Sequence, residues 1–333
     1  MGLGVLLDWR ILPASCNRSF RSLLLLILNQ TFRRSALEFL PWLYYGARVK
    51  RLLLLTILAV SIPNVLFADD TGAPNLADFP RVGDTTGRYQ VLCQNSRQLA
   101  LEVNGFMTAI LGQYEKFFNN WSGKPGARVV VFDNVDDFRK YAGNAMPLTH
   151  AGLAGYCHFI TDEAGNQFYE LVTYENQNMW RVLAHEGFHQ FIGYELGQQI
   201  PTWLNEGMAQ YFETSFIIGS HFHVGQVSRN KLLYAQALIA NKQAPPLAQL
   251  IQWDRATFYA NANVAYPMSW ALVYYLLNSN GDRFEQGEFH RYLQDIKVGK
   301  DDIRSLQRRF GSDIDRWQSN FEDYILHLKG ETD

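Results

Sequence analysis

The strongest constraint on the fold is a pair of histidines, four residues apart, in a segment with a helical apolar pattern. The segment spans 179–193 and contains His185-Glu-Gly-Phe-His189. Residues i and i+4 differ by about 40° around a helix, so both imidazoles project from one face. The apolar flanks predict that this helix is largely buried, and buried histidines need partners. The fold must therefore bring further polar groups to this helix face.

The same segment has the pattern His-Glu-x-x-His, which is typical of zinc sites carried on a helix. His185 and His189 are the predicted metal ligands. Glu186 follows the first ligand directly, where it can reach a water molecule on the metal rather than the metal itself. The alternative interpretation is two histidines on a helix surface. The prediction is one Zn²⁺ per chain, although other divalent ions can occupy such sites.

A third ligand is predicted on a second helical segment at 202–216. A catalytic zinc site has three protein ligands and one open position for water, and Glu206 follows His189 after 16 intervening residues. The alternative role for Glu206 is stabilisation of a helix N-terminus through the helix dipole. Glu213, on the same helical face, and Asn205 could each orient a ligand histidine through its second ring nitrogen.

These motifs resemble those of the gluzincin (peptidase MA-like) zinc metallopeptidases. His-Glu-x-x-His followed by Trp-Leu-Asn-Glu-Gly at 203–207 is distantly similar to the aminopeptidase-N-like enzymes, and the arrangement of strands is similar to small bacterial secreted members. The resemblance implies that Glu206 is the third zinc ligand. The segment that begins at Tyr266 is similar to the helix with the oxyanion-stabilising tyrosine, so it implies that role for Tyr266. Ser269 replaces a family glycine there, and Tyr259 is the second candidate.

Two departures from the aminopeptidases bear on specificity. The gap between His189 and Glu206 is somewhat shorter, and the sequence has no Gly-x-Met-Glu-Asn segment, which in those enzymes recognises the free amino terminus. The segment Ala-Gly-Leu-Ala-Gly-Tyr at 151–156 occupies roughly the corresponding place without an acidic residue. Aminopeptidase specificity is therefore not expected. An edge strand at this place could still pair with an extended peptide.

Four other histidines are weaker candidates for a site. Two alternate as on a strand but are interpreted as loop histidines, and two flank the predicted edge strand without a specific role. These pairs are His221 with His223, and His150 with His158.

The beginning of the chain has the pattern of a targeting segment. Three basic residues at 48–51 precede an apolar run, and Ala68 follows at a plausible cleavage point. This predicts a leader over 1–68 and a secreted, periplasmic or cell-envelope protein without stable membrane insertion after cleavage. The alternative is an uncleaved membrane anchor. Residues 1–48 do not fit a signal peptide, which suggests the hypothesis that translation starts at Val49.

Charge and cysteine content restrict the partners of the remaining chain. Residues 1–68 carry eight Lys and Arg and two Asp and Glu, which leaves 22 basic and 30 acidic residues in 69–333. This acidic body argues against nucleic acid as a partner, because phosphate binding needs a basic face. Export would allow Cys93 and Cys157 to form a disulfide. The alternative is two buried free thiols.

The order of predicted elements indicates an α+β fold. After a flexible lead-in over 69–86, the sequence predicts one zincin-like catalytic domain over 69–333, with a small mixed sheet followed by a mainly helical C-terminal half. A short helix begins at Asn134, a possible N-cap. Strands are predicted near 89–93, 128–132, 152–160 and 167–173, and helices near 96–118, 179–193, 202–216, 228–241, 265–278, 283–296, 301–309 and 312–328.

These patterns together predict a secreted zinc-dependent metallopeptidase that acts on a peptide or protein substrate. Glu186 would activate a zinc-bound water for attack on the peptide carbonyl, and Tyr266 would stabilise the oxyanion. Two alternatives remain open. One is a non-catalytic metal-binding envelope protein on a zincin scaffold, and the other is a zinc hydrolase of a non-peptide bond.

Overall fold

A five-stranded sheet with helices on both faces is the centre of the fold. The leader, the proposed translation start and His150 lie outside the residues that the structure describes. None of the described helices combines the length and the apolar character needed to cross a bilayer. Residues 70–333 form one compact unit. The computed structural model describes residues 72–83, 87–118, 127–145, 153–162, 164–197, 200–218, 221–279, 283–299, 303–310 and 314–330.

The sheet has the strand order β1-β2-β3-β5-β4. Its three inner strands run parallel, whereas the outer strands β1 and β4 are antiparallel to their neighbours. The prediction of four strands is confirmed, and β1 is an additional strand in the predicted lead-in. The strands are β1 (Arg81–Gly83), β2 (Tyr89–Cys93), β3 (Ala127–Phe132), β4 (Gly155–Thr161) and β5 (Gln167–Tyr174).

The predicted helices are present, although the one predicted at 202–216 ends at Glu213, and most of the described polypeptide after β5 is helical. Asn134 caps its helix, since its Oδ1 accepts hydrogen bonds from the backbone N–H of Asp136 and Asp137. The helices are α1 (Arg97–Phe117), α2 (Val135–Ala145), α3 (Met179–Leu196), α4 (Thr202–Glu213), α5 (Arg229–Ala240), α6 (Leu247–Leu250), α7 (Arg255–Ala260), α8 (Ala262–Asn278), α9 (Arg283–Lys297), α10 (Ile303–Phe310) and α11 (Ile314–His327).

Two features of this second half were not predicted. The helices α6 and α7 are too short to show a clear period, so the sequence gives no signal for them. The loop interpretation of His221 and His223 is wrong. Both lie on β7 (His221–His223), which pairs antiparallel with β6 (Phe216–Ile218).

The two faces of the sheet are covered by different helices. Alternation along β3 directs Val129 and Val131 towards the larger core, which includes α1, α3, α4 and α8. Val130 and Phe132 point the other way, into a smaller core beneath α2. Parallel strands buried on both faces explain the unbroken apolar run at this place. The metal helix α3 therefore lies on the larger-core side.

The sheet order separates the two cysteines that were candidates for a disulfide. Cys93 lies on β2 and Cys157 on β4, with β3 and β5 between them. Three strand spacings place these strands about 14 Å apart, whereas a disulfide needs Cα atoms within about 7 Å. Both cysteines are free thiols.

Candidate metal centre

The two histidines of α3 form one side of the centre. The ring centroids of His185 and His189 lie 4.8 Å apart, with the ring planes at 83°. The rotation of α3 is fixed from the opposite side, where the Tyr114 hydroxyl donates to the Ala184 carbonyl at 2.5 Å. A Cβ atom at Gly187 would lie only 3.3 Å from that hydroxyl. The glycine therefore allows α1 to approach closely and direct both imidazoles away from the core.

Glu206 on α4 faces the two rings. Its Oε2 lies 3.5 Å from Nε2 of His185 and 3.5 Å from Nε2 of His189. Glu206 is 2% exposed, and this Oε2 has no hydrogen-bond partner. In a tetrahedral site with bonds of about 2.1 Å, ligand atoms are about 3.4 Å apart. The buried group His185, His189 and Glu206 could thus hold a metal ion.

The outer nitrogens of both rings have acceptors that set their tautomers. His185 Nδ1 lies 2.8 Å from Glu213 Oε2, and His189 Nδ1 lies 3.0 Å from Asn205 Oδ1. Carboxylate and amide oxygens only accept hydrogen bonds, so each Nδ1 carries the proton. The lone pair of each Nε2 is then available for a metal ion, as in many protein metal sites.

Glu213 is itself held by a residue that the sequence did not single out. Lys231 on α5 forms an ion pair with Glu213 Oε1. Burial raises the pKa of Glu213, but the hydrogen bond from His185 and the charge of Lys231 lower it to about 2. Lys231 was missed because nothing in an ordinary helical pattern indicates which lysine points inward.

The charges around the centre favour a cation between the ligands. Burial alone lowers the pKa of His185, but the neighbouring carboxylates of Glu206 and Glu213 raise it to about 10. The pKa of His189 is raised in the same way, mainly by Glu206 against the effect of burial. Burial raises the pKa of Glu206, but His189 and His185 hold it well below its usual range. A divalent ion between these residues would supply the positive charge that protons on His185 and His189 otherwise provide next to Glu206.

Glu186 faces a cavity beside the ligand set. The cavity has a volume of about 390 Å³ and is also lined by His185 and Glu213. Burial raises the pKa of Glu186, the two histidines oppose this, and the carboxylates of Glu206 and Glu213 reinforce it. Glu186 is therefore a carboxylate with increased proton affinity at the open side of the centre.

Two tyrosines lie close to Glu206. The Tyr259 hydroxyl donates to Glu206 Oε1 at 2.7 Å. Tyr266 lies with its ring centroid 6.3 Å from that of Tyr259. Burial raises the pKa of both phenols, and the charge of Glu206 raises it further. Both candidates for the oxyanion donor are thus neutral donors close to Glu206.

The first and last residues of the segment 203–207 each have a role in packing. Trp203 is buried and stacks on Tyr292 of α9, with centroids 6.5 Å apart. A Cβ atom at Gly207 would lie 2.6 Å from the carbonyl oxygen of Ser269. The glycine permits the close contact between α4 and α8 that places Glu206 next to the tyrosines.

Two of the weaker histidine candidates are not part of the metal group. His158 Nε2 is 3.1 Å from Glu170 Oε1, on the sheet face that carries the smaller core, so it does not approach the metal cleft. His223 stacks on Phe216 within the β6–β7 hairpin, with centroids 5.2 Å apart. Neither belongs to the group that could hold a metal.

The candidate centre lies in a part of the chain that matches a known sequence family. A family described as "Protein of unknown function (DUF1570)" matches residues 181–296. No curated protein matches the chain. The matched region begins at Arg181 and contains all three residues of the metal group together with Tyr259 and Tyr266. Over the candidate centre and the helices that follow it, the chain is therefore similar to that family.

Proposed function

We propose that this protein is a secreted zinc-dependent metallopeptidase of the gluzincin type, built on a zincin-like domain. The observation that carries the proposal is the geometry at Glu206. Its Oε2 is buried without a hydrogen-bond partner and lies equally far from two imidazole nitrogens whose tautomers are fixed. A buried unsatisfied carboxylate oxygen is costly unless a cation neutralises it.

Zinc is the ion that this donor set favours. Two imidazole nitrogens and one carboxylate oxygen, with a fourth position open, form the set of a catalytic zinc site. When bound, zinc supplies a Lewis acid that polarises a carbonyl group and lowers the pKa of water. His185, His189 and Glu206 would hold the ion, and Glu213 and Asn205 would hold the rings.

Glu186 and a tyrosine would perform the proton and charge chemistry. Glu186 would accept a proton from the attacking water and pass it to the leaving amine, a role that its raised pKa suits. Tyr266 would donate a hydrogen bond to the oxyanion. Tyr259 is the second candidate, although its hydroxyl already donates to Glu206.

An extended peptide is the substrate that the edge of the sheet fits best. β4 is one of the two edge strands of the described sheet, and Gly155 at its start lines the cavity with His185 and Glu186. A Cβ atom at Gly155 would lie 2.4 Å from the Val182 side chain, so α3 packs tightly beneath the strand. A peptide that adds to the free edge of β4 would pass beside Glu186.

The test is zinc content and cleavage of casein or a peptide library by residues 69–333. The wild-type protein should bind one zinc per chain and cleave, whereas Glu186→Gln should keep its zinc and lose turnover. Zinc binding without cleavage in either protein would replace the peptidase proposal with a metal-binding envelope protein. Cleavage of ester or other non-peptide bonds alone would indicate a different hydrolase. Absence of zinc binding would contradict the proposed metal site.

A further inference from the structure

Arg181 is a charged residue of the cleft that the mechanism does not use. It lies in the first turn of α3, four residues before His185, and therefore on the same helix face. Its exposed side chain lines the cavity together with Asn178, His185 and Glu186. Among the described residues it takes part in no ion pair or hydrogen bond. Its charge is thus available to a molecule in the cavity.

The position of this charge does not favour folding. A cation in the first turn opposes the helix dipole, and α3 has no acidic residue there to offset it. Arg181 also lies close enough to Lys231 to lower the pKa of that lysine, although burial has the larger effect. Since Arg181 does not stabilise the helix and forms no ion pair with another described residue, a role in binding explains its presence better.

The other charges of the cleft are already engaged. Glu213 is neutralised by Lys231 and by the hydrogen bond from His185. Glu186 is the proposed base. With a divalent ion bound at Glu206, the positive charge around the cavity exceeds the negative charge. The cleft therefore favours an anionic group of the substrate near Arg181.

We propose that Arg181 binds a carboxylate of the peptide substrate, close to the bond that is cleaved. This inference rests on the proposed peptidase function. One helical turn separates Arg181 from His185 by about 6 Å along α3, and an extended peptide advances about 3.3 Å per residue. For a peptide that runs along α3, this spacing corresponds to about two residues between the carboxylate and the scissile bond. The carboxylate belongs either to an acidic side chain or to the C-terminus, since both match the planar guanidinium.

The first test compares kcat/KM for matched peptides. One series carries Glu or Gln at each of three positions on both sides of the cleaved bond, and a second carries a free or an amidated C-terminus. A hydrogen bond to a charged group corresponds to a preference of about tenfold or more for the carboxylate. The preference should fall to about one in Arg181→Gln and persist in part in Arg181→Lys. Arg139→Gln, an exposed arginine on α2, should keep it.

The second test measures binding without catalysis. Titration calorimetry of zinc-loaded Glu186→Gln, with and without Arg181→Gln, should show tighter binding of the carboxylate peptides only when Arg181 is present. The series that shows the preference identifies its source. A wild-type protein without preference, or Arg181→Gln with an unchanged preference, would overturn the inference. If no peptide is cleaved by the zinc-loaded wild type, the peptidase proposal fails, and the binding result still decides the role of Arg181.

Discussion

The two ligand histidines have outer partners of different charge. His185 donates to the carboxylate of Glu213, which Lys231 supports, whereas His189 donates to the neutral amide of Asn205. A charged acceptor increases the basicity of an imidazole more than a neutral one does. The amide at Asn205 therefore acts mainly by fixing the tautomer and the orientation of its ring.

Asn205→Ala should weaken zinc binding by about 10- to 100-fold, the usual effect of removing such a partner. Without its acceptor, the His189 ring can rotate and change tautomer. The measurement is a zinc Kd from chelator competition. Asn205→Asp keeps an acceptor oxygen, so it should retain most of the affinity. Equal losses in both variants would show that Asn205 acts on folding rather than on the ring.

Substitutions of Tyr266 and Tyr259 should affect different properties of the protein. Tyr266→Phe should lower kcat about 10²- to 10³-fold with little change in zinc affinity, because one oxyanion donor is lost. Tyr259→Phe should mainly weaken zinc binding, because its hydroxyl holds Glu206. Steady-state kinetics and zinc content measured on both variants check this. The reverse pattern would assign the oxyanion role to Tyr259.

Residue spacing and the motif resemblance predict the residues of the metal group, but not the charged residues around it. The i, i+4 spacing places His185 and His189 on one face, and the motif resemblance adds Glu206. Lys231 and Arg181 lack such a signal. The inward direction of Lys231 depends on how α5 packs, and the free charge of Arg181 is visible only when its surroundings are known.

The contact between α4 and α8 depends on one glycine. Gly207→Ala would place a Cβ atom 2.6 Å from the Ser269 carbonyl oxygen and 2.8 Å from the Val273 side chain. Because a backbone atom cannot move aside easily, we expect a loss of about 1–3 kcal/mol in unfolding free energy, together with weaker zinc binding. Gly112→Ala on α1 is the control, since no atom lies within 4 Å of its Cβ position.

Urea unfolding separates these two glycine variants. Gly112→Ala should be about 0.5–1 kcal/mol more stable than the wild type, because alanine is the better helix former. Similar changes in both variants would show that the α4–α8 contact adapts to a methyl group and does not fix Glu206.

A buried carboxylate on β5 should make the sheet sensitive to acid. Glu170 is 1% exposed and interacts with Arg128, Tyr141 and His158. Burial raises its pKa, but the hydrogen bond from His158 and the charge of Arg128 give a net lowering. Its stabilising effect is therefore present above the unfolded-state pKa of about 4.3 and is lost as the pH falls through the lower folded-state pKa.

Glu170→Gln should accordingly lower stability at pH 7 by about 1–3 kcal/mol, since one of the two charged acceptor oxygens becomes an NH2 donor that faces the other donors and the charge opposite Arg128 is lost. The difference in unfolding free energy between this variant and the wild type should narrow below about pH 4, where the wild-type carboxylate becomes protonated. Denaturant titrations between pH 7 and pH 3 measure this gap. Asp323→Asn, in a highly exposed pair with His327, should show no comparable gap. A constant gap across this range would exclude a charged Glu170.

Element types were predictable, but their arrangement was not. The 3.6-residue period identified the long helices, and apolar runs identified β3 and β5. The sheet order depends on crossovers that no local pattern specifies, so the sequence left the pairing of Cys93 with Cys157 open. The order β2-β3-β5-β4 excludes it. The hairpin of β6 and β7 was not predicted, because three-residue strands are too short for alternation to be distinctive.

At the scale of the whole molecule, the metal would bind residues of two helices that pack against different elements of the fold. α3 and α4 contact each other directly; α3 also packs on the sheet and on α1, whereas α4 also packs on α8. The ligands His185 and His189 belong to the first helix and Glu206 to the second. Cys93 and Cys157 are free thiols, so no disulfide between described residues stabilises this arrangement. The bound ion should therefore contribute to global stability as well as to chemistry.

Removal of zinc by a chelator should lower the thermal midpoint. An ion at 100 times its Kd stabilises the folded state by about 2.7 kcal/mol, which for a domain of this size corresponds to about 5–10 °C. Glu186→Gln should respond like the wild type, because Glu186 is not a ligand, whereas Glu206→Gln should respond little. A reducing agent should have no effect, since the described cysteines form no disulfide. Calorimetric scans measure all four cases. An equal response of Glu206→Gln and the wild type would place the stabilising ion elsewhere, because Glu206 is the residue that α4 contributes to the metal group.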